Sequence, residues 1–496
     1  MFADYDEHDA LGLAELVKQG QVSAAELLET AIARLEKVNP TLNAVVHTMY
    51  APARAAAERP VAGPFQGVPF LIKDLIQDIA GQPTVGGSRF WRGWVADRDS
   101  ELVRRYRAAG LIFFGKTNTP ENGLMPVTEP EVFGPTRTPW DTGRTSGGSS
   151  GGAGAAIASG VVPMAHGGDG GGSIRIPAAC CGVFGLKPTR GRTPTGPGAS
   201  EQWNGFAIEH VLSRSVRDSA AALDAVRGAE DIAPYHAPHF AGRYLDEVAK
   251  APGKLRIGFH AEPAMPSDVH PDCVAAVQEV AQLCEELGHH VEEVRPAFEP
   301  MELAMAFYTI VASQTAAEIH EGEAIRGRKA RPADYETATW LSGQMGRVFT
   351  GADYAIALRR LQAEARRLVH RLGDYDLVLT PTLGQPPVKL GALKPSGPEA
   401  VVQDLVKKAN LRAPLRLPGL LEKTVAEVFD FIPFTPVANF TGQPAMSVPL
   451  VWKSGLPIGT MFTARFGDDA TLFRFARQLE EARPWKDRRP PVHAAS

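Results

Sequence analysis

The clearest pattern of apolar and polar positions near the N terminus is that of an amphipathic helix. Apolar residues recur at helical spacing over Val22–Glu36, and Ser23 followed by Glu26 forms a capping box. Asn39-Pro40 then supplies a typical helix stop. The pattern predicts a helix that begins after Ser23 and ends at this Asn-Pro pair.

Short apolar runs alternate with helical patterns along the rest of the chain. Gly67–Lys73 predicts a buried strand with a lysine at its end, and Ser100–Ala109 predicts a helix that leads into a strand at Leu111–Phe114. Such alternation is typical of an α/β fold with a parallel or mixed sheet. Later strands are predicted at Ile257–His260, His290–Val294, Leu377–Leu379, Ala445–Leu450 and Ile458–Ala464, and later helices at Cys273–Leu287 and Thr471–Glu481.

The segment Gly143–Pro197 is unusually dense in glycine and serine. A flexible linker has a similar composition. Here, however, the glycines are interleaved with apolar residues such as Ala153–Ala158 and Val183-Phe184, which have a core to join. We therefore favour a folded segment over a linker. By contrast, Pro387–Leu420 is rich in proline, lysine and leucine and predicts an insertion near the surface.

Composition and charge limit the partners. The chain of 496 residues is 44% hydrophobic and 22% charged, with a formal net charge of −4, which is typical of a globular protein with a large core. This charge gives no reason to expect a nucleic acid or an acidic membrane as partner. The basic stretches Arg104–Arg107 and Lys407–Arg416 contain apolar residues as well, so we interpret them as solvated helix faces.

The expected compartment is the cytoplasm. The acidic N terminus lacks the pattern of a signal peptide, and no window has the 18 or more apolar residues of a spanning helix. The four cysteines form no Cys-x-x-Cys motif, which is typical of a reducing compartment. The sequence leaves the oligomeric state open, a homodimer included.

Three motifs suggest other chemistry, and each has a simpler explanation. Gly110–Thr117 matches the P-loop pattern, but its four central residues are themselves the predicted strand, and Pro120 follows closely. His236 and His239 flank a proline and lack a third ligand nearby, which favours a loop. His166 has no nucleophile elbow to support a Ser–His pair, so we expect it to be structural.

The informative constellation is a pair of glycine-rich serine motifs with a lysine upstream. Ser149 and Ser150 lie between glycines, Ser173 follows Gly170-Gly171-Gly172, and Lys73 ends a predicted strand. Successive backbone N–H groups in a glycine-rich turn can stabilise an oxyanion. A serine hydroxyl needs a base, and a buried neutral lysine can serve. A set of tight turns would also use glycine and serine, so each motif alone leaves both interpretations open.

Together, these motifs resemble the amidase signature family from about Gly12 to Trp485, and the run Gly147–Lys187 is the most specific part. The segments Thr117–Glu121, Asp376–Thr382 and Asn439–Ala445 agree with the family pattern. The resemblance implies an α/β fold with a mixed, mostly parallel central sheet wrapped by helices. It also implies an amidohydrolase that acts on carbon–nitrogen bonds other than peptide bonds, with no metal or organic cofactor.

The resemblance also implies roles for individual residues. Ser173 matches the acylated nucleophile, Lys73 the general base, and Ser149 a proton-relaying serine whose preceding peptide bond is cis. The separation of 24 residues between Ser149 and Ser173 agrees with the family. The amides of Gly170, Gly171, Gly172 and Ser173 match the oxyanion hole, and Ser150, Asp169 and Arg175 match supporting residues.

Two further expectations concern the surroundings of this site. The family commonly has larger residues where this chain has Gly168 and Gly170, so we expect a looser loop and a wider pocket. Asp74 follows Lys73 on a strand and should point to the opposite face. We therefore expect Lys73 to have no carboxylate partner, which would keep its pKa low.

The whole chain, 1–496, is expected to form a single amidase signature domain. Within it we distinguish a helical part at 8–60, a catalytic core at 61–230, a peripheral α/β part at 250–425 and a return to the core at 430–490.

The expected substrate is a small apolar amide. The runs Thr128–Glu131, Pro139–Asp141 and Ala165–Asp169 resemble the branch of bacterial amidases that includes aminohexanoate cyclic-dimer hydrolases and aryl-acylamidases. An aryl or alkyl amide, a cyclic amide or a carbamate would suit such a site. The candidate apolar walls, each of which could equally belong to the core, are Leu124, Met125, Phe133 and Trp203.

Two alternatives remain at the level of sequence. One is a glutamine amidotransferase subunit, which glutaminase activity without a partner would test. The other is an inactive binding protein on an amidase fold, which failure to react with a fluorophosphonate would favour.

Overall fold

The protein is built around a central mixed sheet with helices packed against it. The structure is a computed structural model that describes residues 2–410 and 419–495. The strands are β1 Val45–Thr48, β2 Pro69–Lys73, β3 Ile112–Thr117, β4 Arg137–Thr138, β5 Asp141–Thr145, β6 Met164–Asp169, β7 Phe184–Lys187, β8 Ile208–Ser213, β9 Arg256–Phe259, β10 His290–Glu293, β11 Leu377–Pro381, β12 Ala445–Lys453 and β13 Leu456–Ala464. The α-helices are α1 Ala10–Lys18, α2 Ala24–Leu42, α3 Tyr50–Glu58, α4 Glu101–Ala108, α5 Gly151–Ala158, α6 Arg175–Cys181, α7 Val216–Val226, α8 Tyr244–Val248, α9 Pro271–Glu286, α10 Pro300–Arg326, α11 Thr337–Gly346, α12 Gly351–Leu372, α13 Gly397–Lys408, α14 Leu420–Asp430, α15 Pro436–Thr441 and α16 Asp469–Ala482.

The eight strands of the large sheet lie in the order β10-β9-β11-β13-β12-β7-β8-β6. This arrangement confirms the predicted α/β class and mixed sheet, but the expectation of a mostly parallel sheet is wrong. In this sheet, as the described residues form it, β9 pairs in parallel with β10 and with β11, and the other five pairings are antiparallel. The reason lies in the connections. The turn at Ser454-Gly455, where both residues have positive φ, joins β12 and β13 as a hairpin, and a tight turn can join only antiparallel strands.

A smaller sheet in the order β1-β3-β2 carries the predicted catalytic lysine to the large sheet. The strand β2 is fully buried and ends at Lys73. The backbone N–H of Lys73 donates to His166 Nδ1 on β6 at 3.3 Å, so the two sheets meet at this point. The P-loop-like segment forms β3 instead of a phosphate loop, and its Lys116 is buried beside Thr84.

The helix predicted after Ser23 is α2, and the Ser23 hydroxyl accepts from the Glu26 N–H as expected. The predicted stop at Asn39-Pro40 is two residues early, because α2 continues to Leu42. Its end is set by Asn43, whose left-handed backbone (φ 52°) caps the helix.

The segment rich in glycine and serine is folded and not a linker. It forms α5, β6, α6 and β7, and residues Gly151–Ile157 of α5 are all buried. The predicted surface insertion contains the largely exposed α13, while residues 411–418 of it lie outside the described part. Within residues 2–410 and 419–495, no helix is long and apolar enough to cross a membrane.

Candidate active site

A cavity of about 2030 Å³ brings the predicted catalytic residues to one wall. Lys73, Ser149 and Ser173 all line it, although 76 and 24 residues separate them in order along the chain. The α10 side chains of Phe307 and Val311 also line it, and the Phe307 ring comes close to the glycine loop, where a Cβ at Gly171 would lie 3.6 Å from it. The cavity is larger than the roughly 300–1,000 Å³ of a common small-molecule site, so it has room for more than a short polar substrate.

Lys73 is buried and directly bonded to the first serine. It is 2% exposed, its Nζ donates to Ser149 Oγ at 2.7 Å, and its second contact is the Gly168 carbonyl at 3.4 Å. Burial lowers the pKa of Lys73 to about 8, although Glu209 and Asp169 act in the opposite direction. A lysine with this pKa is neutral often enough near pH 8 to accept a proton.

The expectation that no carboxylate faces Lys73 is only half right. Asp74 does point away, because it accepts from the Val85 N–H at 3.1 Å and lies 3.7 Å from Lys116. The carboxylates that act to raise the pKa of Lys73, Glu209 and Asp169, come from elsewhere in the chain, and they could not be inferred from its neighbours in sequence.

Ser149 is held in a tight junction of three loops. The peptide bond between Gly148 and Ser149 is cis, as the resemblance implied. A Cβ at Gly148 would lie 2.7 Å from the Val127 nitrogen, so a larger residue would collide with the neighbouring loop. Gly123, at φ +69°, packs against Ser149 Oγ, where a Cβ would lie only 3.2 Å away. These contacts hold the serine on the sides of Gly123 and Val127, and it faces Lys73 and the cavity.

Ser173 follows a glycine loop whose amides differ in their partners. The N–H groups of Gly170, Gly171 and Ser173 donate to no acceptor within residues 2–410 and 419–495, and these three residues line the cavity. Gly172 departs from the predicted oxyanion hole, because its N–H donates to Asp169 Oδ1 at 2.8 Å. Its φ of +130° turns it inward, where a Cβ would lie 2.4 Å from Thr435 Oγ1.

A buried ion pair stabilises the glycine loop. Arg175 donates through Nε and Nη2 to the two carboxylate oxygens of Asp169, at 2.9 and 2.8 Å, and both residues are at most 1% exposed. Burial alone would raise the pKa of Asp169, but Arg175 and Asn439 outweigh it and lower that pKa to about 2. The carboxylate therefore stays ionised and accepts from the Gly172 and Ile174 amides.

Two residues of this network were not predicted to have a role. Thr435 Oγ1 donates to the Gly171 carbonyl at 2.7 Å, and its own carbonyl accepts from Arg175 at 2.8 Å. Asn439 bonds the carbonyl of Asp169 at 3.0 Å and accepts from Arg175 at 2.7 Å. The available signal was two polar residues among the apolar ones of the run 431–440.

Ser150 joins the two serine motifs. Its N–H donates to the Ser173 carbonyl at 3.3 Å, and its Oγ accepts from the Gly168 N–H at 3.3 Å. These bonds hold the loop of Ser149 against the loop of Ser173, and the supporting role that the resemblance implies for Ser150 stays a prediction.

The space at Gly168 and Gly170 is not empty, so the expectation of a wider pocket there is wrong. A Cβ at Gly168 would lie 2.5 Å from Glu209 Oε1, and a Cβ at Gly170 would lie 3.2 Å from the Trp203 ring. Each missing side chain is replaced by a larger group from a neighbouring strand or loop.

Three of the four candidate apolar walls line the cavity. Leu124, Met125 and Trp203 do so, and the Trp203 indole donates to Glu318 on α10 at 3.1 Å. Phe133 does not line it, because Asn43 Nδ2 donates to the Phe133 carbonyl and holds that part of the loop elsewhere. The helix α10 was not predicted to line the pocket, because its apolar pattern does not differ from that of a core helix.

Comparison with known proteins assigns the family. The family model described as Amidase matches residues 26–473. The chain belongs to the amidase family. It is a hydrolase of carbon–nitrogen bonds other than peptide bonds.

Individual relatives cover nearly the whole chain. The 6-aminohexanoate-cyclic-dimer hydrolase of Paenarthrobacter ureafaciens is 38% identical over 98% of this chain and 96% of its own. A solved structure of 6-aminohexanoate cyclic dimer hydrolase complexed with substrate matches with a TM-score of 0.88 and 36% identity, covering 99% of both chains. A bacterial aryl acylamidase structure matches with a TM-score of 0.83 and 28% identity over 96% of both chains.

Proposed function

We propose that the protein hydrolyses carboxamides through an acyl-enzyme on Ser173, with Lys73 as base and Ser149 as proton relay. The observation that carries this proposal is the 2.7 Å hydrogen bond from Lys73 Nζ to Ser149 Oγ in a buried site. A lysine whose pKa is lowered to about 8 by burial can take a proton that a solvated lysine would not.

In the first half of the reaction, Ser173 Oγ attacks the amide carbonyl and its proton passes through Ser149 to Lys73. The negative oxygen that forms would lie against the amides of Gly170, Gly171 and Ser173. Lys73 then returns the proton through Ser149 to the leaving nitrogen, the C–N bond breaks, and an ester on Ser173 remains. Removing one donor from such an oxyanion site costs about 10²–10³-fold in rate.

In the second half, water attacks the ester carbonyl and gives a proton along the same path. The bond between the acyl carbon and Ser173 Oγ breaks, and the serine recovers its proton from Lys73. The products are a carboxylic acid and an amine, and no other reactant is consumed.

The substrate is proposed to be a small apolar amide, an aryl or alkyl amide, a cyclic amide or a carbamate. The apolar lining at Leu124, Met125 and Phe307 supports an apolar acyl or amine group. The relatives named for an aminohexanoate cyclic dimer and for aryl amides agree with this class. The cytoplasm is proposed as the compartment, supported by four cysteines that are all unpaired and buried.

The test is to map the adduct of a fluorophosphonate. The reagent should form a P–O bond on Ser173 with loss of fluoride, and peptide mass spectrometry should locate it there. The Ser173→Ala variant should take up no label, while Ser149→Ala should label slowly at the same site. An adduct on Ser149 of the wild-type protein would reverse the two serine roles.

A substrate panel then tests the chemical class. Anilides, alkyl amides, cyclic amides, carbamates and glutamine should be compared by release of the amine or of ammonia. We expect turnover of one or more apolar amides. Turnover of glutamine alone would contradict the proposed substrate class while leaving the mechanism intact.

A further inference from the structure

Behind Lys73 lies a buried group of three side chains that the proposed catalytic steps do not use. His166 is on β6, Glu209 is on β8 and Tyr106 is on α4, and their exposed fractions are 0%, 2% and 0%. Buried titratable groups are costly to desolvate, so a cluster of them beside a catalytic lysine requires an explanation.

The strand register places the carboxylate beside the histidine. Glu209 pairs with Gly168 across the antiparallel strands β8 and β6, and His166 is on the same face as Gly168 because side chains alternate. Since Gly168 has no Cβ, Glu209 Oε1 can lie only 2.5 Å from where that atom would be. Glu209 Oε2 reaches to 2.8 Å from His166 Nε2.

The hydrogen bonds identify the protonated nitrogen of His166. Its Nδ1 accepts from the backbone N–H of Lys73 at 3.3 Å, so the neutral ring carries its proton on Nε2, on the side of Glu209. The Nε2–H bond does not point straight at the carboxylate, although the two atoms are at hydrogen-bond distance. Glu209 therefore contacts the end of β2 through this imidazole.

The two carboxylates that act to raise the pKa of Lys73, Glu209 and Asp169, differ in how far their charge is neutralised. Asp169 makes a bidentate ion pair with Arg175. Glu209 has no lysine or arginine nitrogen within 4.0 Å among residues 2–410 and 419–495, and its neighbour there is the neutral imidazole of His166. Its charge is therefore the less compensated of the two.

The other groups around Lys73 do not supply this charge. The Tyr106 ring packs edge-on against His166 at 6.2 Å, and its hydroxyl has no partner in the described residues. Asp74 faces Lys116 on the other side of β2. His210 points to the opposite face of β8 and bonds Ser219 at 2.9 Å.

We propose that Glu209 is a positioning residue for the reaction, whose carboxylate supplies the counter-charge for the Lys73 ammonium and fixes the end of β2 through His166. The lysine becomes positive each time it takes the proton of Ser173. In a desolvated site this ammonium is stabilised by a nearby uncompensated carboxylate. Gly168 is needed for this arrangement, because a side chain at that position would displace the Glu209 carboxylate.

The proposal rests on Lys73 being the base, so the experiment reports both points separately. The second-order rate constant for fluorophosphonate labelling of Ser173 is measured against pH for the full-length wild-type protein. The part of this profile in which the rate constant rises with pH, its acid limb, reports the ionisation of Lys73. A wild-type protein that is not labelled at Ser173, or whose labelling does not depend on pH, would contradict the proposed function itself.

The variant Glu209→Gln keeps the shape and removes the charge. Because a neighbouring negative charge favours the ammonium, its loss lowers the pKa of Lys73, so the acid limb should move about one pH unit lower. The limiting rate at high pH should fall by about tenfold or more, since the ammonium is less stabilised. Glu209→Asp retains the charge and should keep the limb near its wild-type position.

The control is Glu36→Gln, which removes one negative charge at an exposed position of α2 and should leave the limb unmoved. If Glu209→Gln does not fold, Gly168→Ala decides instead, because its Cβ displaces the carboxylate and should also lower the limb. An unmoved limb in the folded variant, or an equal shift in Glu209→Asp, would show that Glu209 has only a structural role.

Discussion

The wall of the cavity that carries Ser149 and Ser173 is held by buried charges and backbone hydrogen bonds, whereas the α10 wall is held by aromatic packing. On the first wall, Arg175 and Asp169 are at most 1% exposed and fully bonded. On the second, Phe307 stacks on Phe206 at 5.7 Å. Directional bonds fix catalytic atoms within fractions of an ångström, while apolar packing tolerates changes of shape. We therefore expect changes in the aromatic lining to alter substrate choice more than the chemical step.

The largest effect should come from removing the proposed base. Lys73→Ala should lower fluorophosphonate labelling and amide turnover by about 10³-fold or more, because the base and the nucleophile act as one unit. Labelling kinetics on protein checked for folding by circular dichroism would measure this loss.

A matched control is Lys116→Met, which removes another buried lysine, on the adjacent strand β3. Its folded fraction should retain labelling at near the wild-type rate. Near-normal rates in Lys73→Ala at neutral pH would remove the lysine base from the mechanism.

The next effect concerns stability and contrasts ion pairs associated with the two walls. Arg175→Met leaves Asp169 charged and unpaired, so the free energy of unfolding should fall by about 3–5 kcal/mol. Arg360→Met removes an exposed pair with Glu302, between α12 and α10, and should cost about 1 kcal/mol or less. Chemical denaturation followed by tryptophan fluorescence would compare them. Equal losses would contradict the contrast between the walls.

A smaller effect is expected from pH. Because Lys73 must be neutral to accept a proton and burial lowers its pKa to about 8, kcat/KM should rise through that pH and then level off. Below the limb, activity should fall by about tenfold per pH unit. A rate profile between mildly acidic and alkaline pH, with a substrate identified in the panel, would measure the limb. A flat profile would mean that another step limits turnover.

The smallest effect should come from the apolar side of the cavity. Trp203→Ala opens space beside Gly170 and removes the bond to Glu318, so KM for aryl amides should rise by about tenfold, with a smaller change in kcat. Phe133→Ala is the matched aromatic control outside the cavity lining and should leave KM unchanged. If Trp203→Ala lowered kcat and left KM unchanged, Trp203 would act in the chemical step and not in substrate binding.

Local pattern was enough to predict most secondary structure. The strand predicted at Ile458–Ala464 is observed as β13, and the helix predicted at Cys273–Leu287 as α9, each within a few residues. Strand direction was not predictable from the same pattern, because alternation of helices and strands does not say which strands meet. The end of α2 was missed because the left-handed cap at Asn43 outweighs the preceding proline.

Residues of the site were predictable where a motif carried them. Lys73, Ser149 and Ser173 were all assigned through the family resemblance that the glycine-rich motifs carry, and they do line one cavity. Their catalytic roles remain predictions that labelling will test. Phe133 was assigned to the pocket by its apolar character alone, which does not distinguish a pocket wall from a packed loop.

The sequence by itself determined the family, the candidate triad and the buried elements that carry it, because these depend on local spacing and on residue type. Only the tertiary structure decided what surrounds them. Glu209 reaches His166, whose ring accepts from the Lys73 N–H, and Trp203 covers Gly170, through contacts between residues far apart in the chain. The missing side chains at Gly168 and Gly170 looked like empty space in the sequence. Close packing fills such space with whatever neighbour the fold brings there, by strand register for Glu209 and by a loop for Trp203, and not with adjacent residues.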